Sequence, residues 1–175
     1  MKKSVEVRWL HFVLLIAGLL TLIPAHAQIN FRGAGAQVTG TGSTLVPTLP
    51  SGTQAGDLAI LVVAGRPSDT SQPAAPSGWT LRSSALREVG SRDLRIVTYY
   101  RVLVGGDINP TLTVPNGWQG GQGGISGQIA VWSGVNTTSP FDVTDTTGTA
   151  AAASPWTPPA ITTATNGARA VSAVA

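Results

Sequence analysis

The 175-residue sequence contains no cysteine. Disulfides, thiolate metal sites and a lipid-modified cysteine are therefore excluded, and packing and hydrogen bonds alone must hold the fold. Charge is scarce too, at 11% of residues. Both lysines, Lys2 and Lys3, and both histidines, His11 and His26, fall within the first 27 residues. Beyond them the chain has no His, Cys or Lys, which removes the bases and nucleophiles of Ser-His-Asp, Cys-His and Ser-Lys catalysis. The usual ligands of zinc, haem and iron–sulfur centres go with them. A chain that is not an enzyme, with no metal and no cofactor, is the corresponding expectation. Missing as well is any long segment past residue 27 with the 3.6-residue apolar period of an amphipathic helix.

What is present begins with a leader. Met1-Lys2-Lys3 precedes an apolar run over residues 9–23, which ends at Pro24-Ala25-His26-Ala27. Basic start, apolar stretch and an Ala-x-Ala site predict a helical secretory signal peptide over residues 1–27, cleaved before Gln28. The run counts 15 residues, short of the roughly 20 that span a bilayer, so no membrane span is expected to remain. The product is expected to be secreted or held at the cell surface.

Removing Lys2, Lys3, Arg8 and Glu6 lowers the net charge from the formal +3 to about +1 and leaves eight scattered arginines. No basic block remains to neutralise phosphates, and nucleic acid is not an expected partner.

Residues 28–42 are small and polar and read as a flexible lead-in with one short strand near residues 36–39. The domain proper is expected over residues 43–175. Residues 58–64, Leu-Ala-Ile-Leu-Val-Val-Ala, have the β-branched density of a strand buried on both faces. Residues 79–89 and 93–104 alternate and flank Gly90-Ser91-Arg92, which predicts a hairpin. Shorter strands are expected at 43–49, 111–114, 125–132 and from 160. The proline-rich stretch 66–78 reads as an exposed loop. Short strands punctuated by Gly and Pro predict an all-β, antiparallel β-sandwich of jelly-roll-like form. Residues 168–175 read as a final strand in which the chain is cut short, leaving an edge prone to self-association.

Several short motifs carry a resemblance. Gly56-Asp57-Leu58, Gly78-Trp79-Thr80, Tyr99-Tyr100-Arg101, Val131-Trp132-Ser133-Gly134-Val135 and Pro140-Phe141-Asp142 resemble a poorly characterised extracellular β-sandwich module of bacterial surface proteins and phage tail proteins. The resemblance spans about residues 50–175 and implies a structural or adhesive role at a surface, with another surface protein or a surface glycan as partner. It carries no catalytic residues.

Among side chains that could bind, Trp118 and Trp156 stand in Gly- and Pro-rich surroundings that suggest exposure, and Asn116 and Gln119 flank Trp118. Rings and amides of this kind can stack on and hydrogen-bond sugars, which makes a carbohydrate-binding module the alternative reading. Trp79 and Trp132 lie at strands and are expected in the core. A fragment of a carboxylate-dependent glycoside hydrolase is a further alternative, with Glu88 as the only glutamate after the leader. Turn chemistry accounts more simply for the aspartates, including Asp107 beside Asn109 and Asp142 near Asp145, whose oxygens are too few to fill a calcium shell. The Gly33-Ala34-Gly35 and Gly40-Thr41-Gly42 pairs precede no helix and cradle no phosphate. Asn136-Thr137-Thr138 has the letters of a glycosylation sequon.

Overall fold

The structure is a computed structural model that describes residues 28–87, 93–118, 124–146, 148 and 159–173. The leader, Glu88 and the hairpin turn, Gln119, Trp156 and the last two residues lie outside the described residues.

The described chain is all-β and antiparallel. Its strands are β1 (Asn30–Ala34), β2 (Val38–Gly40), β3 (Thr44–Leu45), β4 (Leu58–Gly65), β5 (Thr80–Arg87), β6 (Leu94–Val102), β7 (Leu112–Thr113) and β8 (Ile125–Ser133). A six-stranded sheet runs in the order β1-β8-β4-β6-β5, with β2 also paired to β8, and β3 and β7 form a separate two-stranded ribbon. The sandwich therefore has unequal layers.

β4 is central because its composition suits no other place. Ala59, Leu61 and Val63 point into the core, and Leu58, Ile60, Val62 and Ala64 occupy the opposite face. Such a strand is best placed between two others, and β4 pairs along its whole length with β6 on one side and β8 on the other. Leu61 thus lies between Tyr99 and Ile129, and Val63 between Val97 and Gly127. Gly127 makes room for the ribbon, since a Cβ there would come within 2.9 Å of Leu45 and 3.3 Å of Pro47. Leu45, Leu112, Val114, Leu103, Trp79 and Trp118 complete the core on that side.

Three sequence expectations need correction. The segment 28–42 supplies two strands of the main sheet, because β1 and β2 find their partner in β8 at the far end of the described strands. Residues 66–78 are a loop, exposed at 68–70, 74–75 and 77–78 as expected, but pinned as a cover by the buried Pro67, Pro73 and Pro76. Residues 160–163 and 168–173 form no strand, and Val171 is exposed. Their alternation is made largely of alanine and threonine, which bring too little apolar area to hold a strand on the sheet.

Of the three described edge strands, β1 and β5 are bulged, and each bulge admits an arginine. On β1 the register shifts between Phe31 and Gly33, at Arg32, and on β5 between Leu81 and Ser83, at Arg82. Arg32 pairs with Asp57 (Nε to Oδ2, 2.6 Å), and Arg82 pairs with Asp145. Bulges and charged side chains at an edge oppose further strand pairing.

Candidate functional site

Trp118 is not exposed. A 3-10 turn over Asn116–Trp118 drives its ring into the core, where it is 1% exposed. The ring lies against Gly65, the last residue of β4, where a Cβ would stand 2.5 Å from the indole. Its Nε1–H donates to Ser71 O at 3.0 Å. Asn116 is exposed beside it. The ring therefore offers no face to a ligand, and of the four residues expected to form a sugar site only Asn116 is both described and at the surface.

What Trp118 does instead is hold the cover. Arg95, 9% exposed and directly opposite Gly65 on β6, donates from Nη2 to Thr70 O (3.0 Å) and from Nη1 to Gln72 Oε1 (3.1 Å) and Ser84 Oγ (2.9 Å). The Tyr99 hydroxyl donates to Pro73 O. Three buried donors from the core thus meet the carbonyls of residues 70, 71 and 73 in turn. Ser68 N–H adds a bond to Gly117 O at 2.7 Å, tying the cover to the Trp118 turn. Burial pushes the Tyr99 phenol up to about 12, with nearby Arg95 opposing the rise. The Ser71 side chain and backbone N–H are directed to Asp69 and hold its carboxyl below the ordinary carboxylate range.

The motif pieces collect at the other end of the sheet. Leu58 stands opposite both Val102 and Trp132, and Thr80 stands opposite Tyr100. Asp57, 2% exposed, accepts from Gln54 N–H at 2.8 Å as well as pairing with Arg32. Asp107 accepts from the N–H groups of Val104 (2.8 Å) and Gly105 (3.0 Å) and pairs with Arg101 (2.6 Å). Phe141 packs edge-on against Tyr100, with ring centroids 4.8 Å apart, and the Arg82 guanidinium lies 4.1 Å from the Phe141 centroid. Arg82 also donates to Val143 O at 2.8 Å. Asp142 then accepts from the N–H groups of Ala164 and Thr165 and from the Thr165 hydroxyl at 2.7 Å. The hydroxyl and those N–H groups hold its carboxyl below the ordinary range.

Trp132 belongs to this end and not to the core. It is half-buried on the outer face, with Phe31 tilted against it at 5.6 Å, and Phe31 is 61% exposed. Strand parity carries the signal for this, since Trp132 is out of phase with Ile129 and Val131. The Phe31–Trp132 pair is the aromatic surface that the sequence reading missed.

Among the described residues no group of three or more His, Cys, Asp or Glu is placed to hold a metal ion. No helix among them is long and apolar enough to cross a membrane. No protein-family profile, curated protein or solved structure matches the chain.

Proposed function

We propose that the chain is an exported, non-enzymatic β-sandwich module with a structural or adhesive role at a cell surface. The observation that carries this reading is the use made of the carboxylates. Asp57, Asp107, Asp142 and Asp145 each hold a turn, a neighbouring segment or an arginine of the same chain. Among the described residues the two carboxyls that shift, Asp69 and Asp142, shift downward. A general acid for glycoside hydrolysis requires the opposite. The signal-peptide pattern and the resemblance of the five motifs to extracellular modules support export and surface placement. The carbohydrate alternative, so far as it rests on Trp118, has no exposed ring there.

Expression in an exporting bacterial host with an added C-terminal tag tests the reading. The product is expected to begin at Gln28, to be cleaved by protease added to intact cells, and to increase cell attachment to coated surfaces. Protein that keeps Met1 and stays in the cytoplasm overturns it, as does hydrolysis of a polysaccharide that Glu88→Gln abolishes.

A further inference from the structure

The outer face of the six-stranded sheet has the chemistry of a buried layer. Strand pairing places Leu58, Ile60, Val62 and Ala64 of β4 beside Ile96, Thr98, Tyr100 and Val102 of β6. On the other side stand Ser126, Gln128, Ala130 and Trp132 of β8, with Phe31 and Ala34 of β1 beyond them. Through β1, β8, β4 and β6 this face carries no charged residue. The second face of an antiparallel sheet turned to water is ordinarily polar. Here Phe141 packs on Tyr100 near β5, and Phe31 remains largely exposed at the far side.

We infer that this face is the interface of a homodimer, with the same face of a second copy packed upon it. Three features favour a second copy over a different partner. The chain forms a sandwich of six strands against two, so what the outer face lacks is another sheet of its own width. The four strands, about 4.8 Å apart, and seven residues rising about 3.4 Å each outline roughly 450 Å² before relief is added, more than half of the roughly 800 Å² per partner of a standard interface. The face is also self-complementary in kind. It sets Ala34, Ala64 and Ala130 among Ile60, Val62, Ile96 and Trp132, so two copies related by a two-fold axis can interdigitate, and neither brings a charge that the other must neutralise. The bulges with Arg32 and Arg82 disfavour growth strand by strand at β1 and β5.

Sedimentation equilibrium on the purified chain, from about 1 to 100 µM, tests the inference. The expected result is twice the chain mass at the upper concentrations. Val62→Lys, at the centre of the face, is expected to sediment at one chain mass with an unchanged β-sheet circular dichroism spectrum, and Ala130→Lys is expected to act likewise. Wild-type protein at one chain mass throughout the range overturns the inference. So does a Val62→Lys dimer, or loss of the β spectrum in both variants, which would mean that the chain's own residues cover the face. A monomer that instead binds glycans through Phe31 overturns it as well. None of these results depends on export, so failure here is distinct from failure of the proposed surface role.

Discussion

The two faces of the six-stranded sheet are built from the same kinds of side chain and finished in different ways. On the inner face, Leu61 and Val63 lie under a cover whose carbonyls receive hydrogen bonds from Arg95, Tyr99 and Trp118. On the outer face, Ile60 and Val62 have apolar and polar neighbours, and among the described residues the ring packed from above is Phe141, steadied by Arg82. Apolar area makes both faces adhesive, but it is non-directional and does not select what adheres. Selection comes from donors placed among the apolar groups. The inner face has three such donors and therefore one defined cover. On the outer face the polar groups beside Val62 are engaged within the sheet, Gln128 donating to Gly35 O and the Thr98 hydroxyl bonded to that of Ser83, so the face is left to a partner that asks for shape alone.

The contrast is broken most sharply by truncating the two tryptophans. Trp118→Ala removes a ring buried against Gly65 together with the donor to Ser71 O, and is expected to cost about 3–5 kcal/mol. Trp132→Ala, on the half-buried face, is expected to cost about 1 kcal/mol. Urea denaturation at low micromolar concentration checks both, and equal losses would erase the distinction between the faces.

Next in size is Arg95→Met. It keeps much of the apolar stem and withdraws the donors to Thr70 O, Gln72 and Ser84, for an expected loss of about 1–3 kcal/mol. The cover should loosen before the sheet does, so amide hydrogen exchange ought to accelerate at residues 68–72 while β4 stays protected.

Tyr99→Phe sharpens the comparison through pH. The folded phenol is raised to about 12 from an ordinary value near 10, so the folded state holds this proton more tightly than the unfolded state. Its contribution is complete below pH 10 and is lost as pH rises from 10 to 12. The variant is expected to lose about 1 kcal/mol at neutral pH, through the missing bond to Pro73 O. The alkaline fall in melting temperature should also become shallower.

The smallest effect is expected at Asp142. Its carboxyl is depressed, so the tether to Thr165 is present at neutral pH and weakens as pH falls below the ordinary carboxylate value toward the lowered one. Asp142→Asn should leave the global melting temperature nearly unchanged. The Thr165 amide resonance should lose its acid titration, which NMR detects directly.

Much of this architecture was legible in the residues, and what was not has a common cause. β4 and the β5–β6 pair announce themselves because their signals are local: continuous β-branched density in one, alternation in the other. β1 does not, since Phe31-Arg32-Gly33-Ala34 has meaning only beside β8, about a hundred residues away. Trp118 was misplaced for the same reason. Its neighbours, Asn116 and Gly117, describe a loop, whereas the hollow that receives its ring is the missing side chain of Gly65, on another strand. For Trp132 the needed signal was available in the parity of β8, and a general expectation that tryptophans are buried overrode it. Residues 168–173 show the reverse error, a local pattern with too little substance to recruit a distant partner.

The pairing of β1 with β8 also sets a clock. The first described strand waits for the last, from Asn30 to Ser133. At a synthesis rate of about 5–20 residues per second, roughly 5–20 s separate the appearance of the two, and β4 stands half-paired for part of that interval. Closure over so long a stretch of chain places folding among slow, non-local events rather than fast, hairpin-by-hairpin ones. The nascent polypeptide consequently holds β4, β6 and β5 as a partial sheet with one side of β4 open, until β8 arrives and joins that sheet to β1.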